Sequence, residues 1–150
     1  MRSSFYSVLV IATCGFASFT GQLRAQDQSD SEWILIVQNS DDTRFYSGKR
    51  GSYELSATKG GAPIAMILGQ TEDRISRNVT YNKWYVTTSD CEAGIGKLVT
   101  LKVSGEYDFE TDYVARGNNI ASSIGDLVCS IYLDNKRAVS YTHLTLPTKA

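Results

Sequence analysis

The sequence is poor in proline, histidine and cysteine, and it lacks an excess of either charge. It has 2 prolines, 1 histidine and 3 cysteines in 150 residues, with 15 basic against 16 acidic side chains. So few prolines exclude a proline-rich linker protein. The single histidine is His143, so residues 1–142 lack the residue on which Ser-His-Asp triads and histidine metal sites depend. A net charge of −1 provides no global positive field, and we expect no nucleic-acid partner.

Apolar residues are present in sufficient number for one folded domain. The chain is 42% hydrophobic and 21% charged, which is typical of a globular domain of this length. No segment after Ala25 contains the run of about 20 apolar residues that a membrane span needs. Gly94–Leu98 resembles part of a phosphate loop, but Cys91 stands where a glycine is required and Leu98 where Ser or Thr is required. We therefore predict no catalytic residues, no cofactor, no metal site and no membrane span.

The first 25 residues have the pattern of a secretory signal peptide. Arg2 is followed by an apolar segment over 5–19, and Leu23–Ala25 offers a cleavage site with a small final residue. A buried core helix is one alternative. A bacterial lipoprotein signal with Cys14 as the lipidated residue is another, which the residues before Cys14 fit less well. The pattern predicts export to the periplasm or the cell surface.

The last residues resemble a translated sequencing-library adapter of the kind that a transposase attaches. Residues 139–148 read VSYTHLTLPT, which matches the translation of such an adapter over ten consecutive positions. The alternative is a genuine polar tail. We predict that 138–150 is a non-native tail, which removes His143, and that the exported domain is 26–137.

Hydrophobic periodicity within 26–137 predicts an α+β fold. One helix is predicted near the C-terminus, where Asn118–Asn119 supplies an N-cap and an apolar stripe runs from Ile120 to Ile131. Ala121, Gly125 and Cys129 form a second strip of small residues on that helix. Together with the predicted strands, this helix gives an antiparallel sheet of about six strands with the helix packed on one face. The predicted strand segments are 32–38, 44–47, 52–57, 64–68, 83–88, 97–104 and 107–113. The first is expected to be buried on both faces. In 97–104, Val99, Leu101 and Val103 are expected to point inward, and 107–113 is its hairpin partner.

Two cysteines remain after removal of the predicted signal peptide. Cys91 and Cys129 are expected to form a disulfide, because exported proteins seldom keep free thiols. Two free buried thiols are the alternative. The closed loop would stabilise the fold by about 4 kcal/mol in the chain-entropy treatment.

Two groups of charged residues stand out, and the basic one is a candidate for binding. Arg44, Lys49, Arg50 and Lys59 lie within 16 residues that hold one acid, Glu54, and form a candidate patch for an acidic partner surface. The alternative is ordinary solvated loop charge. A second group consists of acids at alternate positions of one predicted strand. These acids are Asp108, Glu110 and Asp112. We interpret them as one solvated strand face, because their spacing along the strand is too wide for all three to bind one metal ion.

The arrangement of aromatic strand, cysteines and helix resembles the bacterial surface-adhesin protein E family. The similarity rests on Lys83–Val86 leading to Ser89–Cys91, on the helix that begins at Asn119 and carries Cys129, and on a first strand with Trp33. It implies a small exported antiparallel-sheet domain at the cell surface, bridged between Cys91 and Cys129. It also implies binding to host extracellular proteins.

Two functional hypotheses follow. The first is a non-enzymatic exported binding domain whose partners are host or envelope proteins. The second is a periplasmic enzyme or enzyme inhibitor with a site built from loops. A flat, basic, aromatic face would favour the first, and a deep pocket with converging polar groups would favour the second.

Overall fold

The computed structural model describes the backbone of residues 32–142 and the side chains of 32–139. The predicted signal peptide, Cys14 and His143 lie outside the described residues. Within them, strands and helices follow in the order β1 (Trp33–Gln38), β2 (Arg44–Lys49), β3 (Glu54–Ala57), β4 (Pro63–Asp73), β5 (Asn78–Thr87), α1 (Thr88–Ala93), β6 (Ile95–Lys102), β7 (Tyr107–Val114) and α2 (Ile120–Thr142).

All seven strands join one antiparallel sheet. Their order is β1-β2-β4-β5-β6-β7, and β3 pairs with β4 beside this path. The predicted hairpin of β6 and β7 is confirmed by the pairing of Ile95 with Val114 through to Leu101 with Tyr107. The C-terminal helix packs on the sheet, so the predicted α+β fold with its single covering helix is confirmed.

Helix α2 covers part of one side of the sheet, which we call the helix face. Side chains alternate between the two faces of a strand, so every second residue of β4 and β5 lies on the helix face, and those nearest α2 pack against it. The main hydrophobic core therefore lies between α2 and these strands. Its buried members include Ala65, Ile67, Trp84, Val86, Leu98, Tyr113, Ile124 and Val128. Among the described residues no helix is both long and apolar enough to cross a membrane.

The start of α2 follows the predicted cap. The side-chain oxygen of Asn119 accepts a hydrogen bond from the backbone N–H of Ser122 at 2.6 Å, which satisfies one of the free donors of the first turn. The small-residue strip of α2 is buried, and Gly125 faces the ring of Tyr113. The helix runs to Thr142, so the non-native origin of 138–150 stays a prediction.

Two predictions about buried strand residues are wrong. Strand β1 lies at the edge of the sheet, and its residues Ile34 and Leu35 are exposed, because α2 covers only part of one face of the sheet. Val103 is also exposed, because β6 ends at Lys102 and Val103 belongs to the turn. Strand β6 instead buries three consecutive residues, Leu98, Val99 and Thr100.

Two further features were not predicted from the sequence. Residues 88–93 form helix α1 rather than the end of a strand; its Thr87 cap accepts from the Asp90 N–H, and Gly94 ends it in the left-handed conformation. Strands β4 and β5 also extend well beyond the apolar runs 64–68 and 83–88, pairing as far as Asp73 with Asn78. This polar extension carries most of the candidate site.

Candidate functional site

A groove of about 680 Å³ lies on the helix face where α2 leaves the sheet uncovered. Its floor is formed by the long arms of β4 and β5, one side by the start of β2, and the other by β6 and β7. The first turn of α2 closes the end nearest the core. Neutral hydrogen-bonding side chains share this surface: Thr71, Asn78, Thr80, Asn82, Thr100 and Thr111.

Strand register explains why these side chains point the same way. Tyr46 of β2 pairs with Thr71 of β4, and Thr71 pairs with Thr80 of β5, so all three project from one rung of the sheet. The next rung outward consists of Arg44, Asp73 and Asn78. Residues in alternate positions share a face, which places the second rung beside the first in the same groove.

A tryptophan marks the boundary between core and groove. The ring of Trp84 lies over Gly69, where an added Cβ would come within 2.2 Å of a ring carbon. The glycine is therefore required for this ring position. Tyr46 lies beside it, with ring centroids 6.4 Å apart, and the half-exposed ring of Phe109 lines the opposite side. The groove thus has aromatic surface at the end nearest the core and on both flanks.

Thr100 is the deepest polar residue of the groove. Its side chain is 1% exposed, and it lines the groove beside Trp84 and Leu98. The other buried polar residue, Ser122, accepts a hydrogen bond from the backbone N–H of Val114. Thr100 therefore offers a hydroxyl group at the bottom of the groove.

One ion pair lies at the outer end of the groove. The Arg44 Nε atom is 3.3 Å from an Asp73 carboxylate oxygen. Backbone N–H groups of Ser76 and Ile75 also donate to Asp73. The Ser76 and Ile75 backbone bonds and the Arg44 side-chain bond lower the pKa of Asp73, and the bond to Asp73 raises the pKa of Arg44. Both groups are thereby held charged, and the carboxylate of Asp73 is occupied by the turn.

The acids of β7 do not share one face as predicted. Glu110 and Asp112 both lie near Lys97, at 3.9 and 2.6 Å. Asp108 lines the groove instead, because the pairing of β6 with β7 is irregular between Thr100 and Leu101. The described residues contain no group of three or more His, Cys, Asp or Glu side chains placed to hold a metal ion.

The basic residues of the candidate patch are spread over several elements. Arg44 begins β2 and lines the groove, whereas Lys49 ends the same strand and pairs with Glu32 at 2.8 Å. Arg50 follows in the turn and lines a second depression with Lys49. Lys59 lies in the turn between β3 and β4. Binding by these residues stays a prediction.

The predicted disulfide is present. Cys91 of α1 and Cys129 of α2 are bridged, with Cα atoms 5.1 Å apart, and both are buried. Close by, Glu92 accepts hydrogen bonds from Tyr132 at 2.7 Å and Lys136 at 2.5 Å. The Lys136 bond is the main cause that lowers the pKa of Glu92. These contacts fix α2 over the core but lie outside the groove.

Sequence reasoning missed the groove because its residues are distributed over five strands and one helix. The available signal was the alternation of polar residues in 71–82, where Thr71 and Asp73 are followed by Asn78, Thr80 and Asn82. Comparison of the chain with protein-family models, with curated proteins and with solved structures gives no match.

Proposed function

We propose that this chain is an exported, disulfide-stabilised domain that acts by binding a ligand in the groove rather than by catalysis. The observation that carries the proposal is an open groove lined by neutral hydroxyl and amide groups with aromatic rings among them. Such groups bind by hydrogen bonding and stacking, which are the usual interactions of a concave ligand site.

Converging polar groups were the expected sign of an enzyme, but their chemistry favours binding. The groove contains two carboxylates, Asp73 and Asp108. A pair of carboxylates can hydrolyse a glycosidic bond only when one of them is able to hold a proton and donate it. The lowered pKa of Asp73, caused first by its backbone hydrogen bond with Ser76, works against the role of proton donor. Its two oxygens are also occupied, one by the N–H groups of Ile75 and Ser76 and the other by Arg44, which works against the role of nucleophile.

Export and the identity of the partner belong to the same proposal. A buried disulfide accords with an oxidising compartment, and residues 1–25 have the pattern of a signal peptide. The resemblance to the surface-adhesin protein E family supports a host extracellular protein as partner, with an envelope protein as the alternative.

Two substitutions on neighbouring residues test the groove. Thr80→Trp places a large ring in the groove, whereas Val79→Trp places the same ring on the opposite face of β5; both positions are exposed, so both variants are expected to fold. We expect the chain to bind plates coated with extracellular-matrix glycoproteins, Thr80→Trp to weaken binding about tenfold or more, and Val79→Trp to leave it unchanged. Equal binding by both variants would exclude the groove.

Export has a separate test. Residues 1–25 fused to a β-lactamase without its own signal should confer ampicillin resistance, because that enzyme protects bacteria only outside the cytoplasm. Cys14→Ala is expected to leave resistance and fractionation unchanged. A shift of the fusion from the membrane to the soluble fraction in that variant would favour the lipoprotein alternative.

A further inference from the structure

We infer that the groove takes a neutral oligosaccharide, so that the domain binds glycans. This inference rests on the proposed function, because it names the ligand class of the same groove. Charge, hydrogen-bonding chemistry and the shape of the sheet each point to this class.

The charges in the groove disfavour an anionic ligand. Its one cationic side chain, Arg44, is already paired with Asp73. The remaining charged lining residue, Asp108, is acidic and has no ion-pair partner within residues 32–139. A phosphate, sulfate or sialic acid group would therefore meet no free positive charge and one negative charge.

The neutral lining groups match the hydroxyl groups of a sugar. A threonine hydroxyl and an asparagine amide can each donate and accept, as a sugar hydroxyl can. Thr71 and Thr80 face each other on adjacent strands, about 4.8 Å apart in the hydrogen-bonding direction of a sheet. Thr100 offers a further hydroxyl at the bottom of the groove.

The aromatic rings supply the apolar half of sugar recognition. The half-buried ring of Tyr46 and the half-exposed ring of Phe109 lie on opposite sides of the groove. A pyranose ring has an apolar C–H face that packs on aromatic surface while its hydroxyls point outward to polar groups. A groove of about 680 Å³ lies within the size range of sites for small ligands.

An extended peptide fits the groove less well. Strands β4 and β5 form its floor, and each already pairs with a neighbour on both sides. A peptide lying on them cannot add a strand, because strand addition requires an open sheet edge. Its backbone N–H and C=O groups would depend on side chains alone.

The closing experiment uses a glycan array and a fluorescence titration. The purified disulfide-bonded chain is applied to an array of neutral and anionic oligosaccharides, and the neutral glycan with the highest signal is then titrated against the Trp33→Phe variant. Trp33 stacks on Tyr81, whose side chain projects from the other face of the sheet. Its replacement leaves Trp84, at the groove floor, as the reporter.

Two variants locate the binding. Thr71→Val with Thr80→Val removes two hydroxyls without a large change in shape, and we expect it to weaken binding about tenfold. Val79→Thr adds a hydroxyl on the opposite face of β5 and is the matched control, with unchanged affinity. Signals confined to neutral glycans and lost in the double variant support the inference.

Other outcomes overturn it and separate it from the proposed function. Signals on anionic glycans alone, no glycan signal, or neutral binding that the double variant retains each exclude a neutral-glycan groove. If Thr80→Trp still abolishes binding to matrix glycoproteins while no glycan binds, then the groove is a binding site for a protein segment. In that case the proposed function stands and the glycan assignment fails.

Discussion

The helix face of the sheet has two halves that are built from the same strands but do different things. Toward α2, β4 and β5 present Ala65, Ile67 and Val86, which are buried in the core. Further along the same face they present Thr71 and Thr80, which line the groove. The backbone pairing continues without interruption between the two halves.

The difference shows that side-chain chemistry, not backbone geometry, decides where the core ends. Apolar side chains gain free energy from being covered, so α2 packs over that half and is fixed there by the disulfide. Threonine and asparagine gain little from being covered without partners. The half that carries them can remain open to a ligand.

Removing the disulfide should have the largest effect on the covered half. Replacing both Cys91 and Cys129 by serine is expected to lower the free energy of unfolding by about 2–5 kcal/mol, because the unfolded chain regains the freedom of a 38-residue loop. Urea denaturation of the two proteins measures this difference. A change below about 0.5 kcal/mol, the range of ordinary surface substitutions, would mean that packing alone holds α2 in place.

Gly125→Ala tests how tightly α2 packs on the sheet. Alanine normally stabilises a helix relative to glycine by about 1 kcal/mol. Here the new Cβ would lie 2.4 Å from a carbon of the buried Tyr113 ring, so overpacking should instead destabilise the domain by about 1–3 kcal/mol. Gly60→Ala, where the nearest atom is 3.8 Å away, is the matched control. A stabilising Gly125→Ala would show that the ring moves aside easily.

Alkaline pH tests the same contact through Tyr113. Burial, followed by the charge and hydrogen bond of Asp126, raises the pKa of Tyr113 from 10.0 to about 12. Between these values the unfolded tyrosine loses its proton while the folded one keeps it. This contribution to stability is therefore complete below pH 10 and is lost as the pH rises to about 12.

The measurement is the slope of unfolding free energy against pH over that interval. Tyr113→Phe should have a shallower decline than the natural chain, although its stability at neutral pH is lower because the bond to Asp126 is lost. Tyr107→Phe, an exposed tyrosine on the same strand, is the control. Equal slopes for all three proteins would contradict the buried position of Tyr113.

The sequence was informative where local patterns decide the structure. The cap at Asn119, the apolar stripe of α2, the β6–β7 hairpin and the disulfide all follow from short-range signals or from the small number of cysteines. The exposure of Ile34 could not be predicted, because strand order depends on long-range pairing and an apolar run alone does not reveal an edge. The groove was missed for the same reason, since Tyr46, Thr71 and Thr80 become neighbours only through register.

The prediction with the smallest expected effect compares two buried residues that carry a hydroxyl group, Ser122 beside the core and Thr100 in the groove. Ser122 accepts from the Val114 N–H, so Ser122→Ala should destabilise the domain by about 1–2 kcal/mol by leaving that donor unpaired. Thr100 lines the groove instead. Thr100→Val should change stability by less than about 0.5 kcal/mol, because a methyl group of similar size replaces a hydroxyl that faces the groove. Urea denaturation of the ligand-free proteins measures both changes. If Thr100→Val destabilises as much as Ser122→Ala, then the hydroxyl of Thr100 is satisfied within the fold and is not held ready for a ligand.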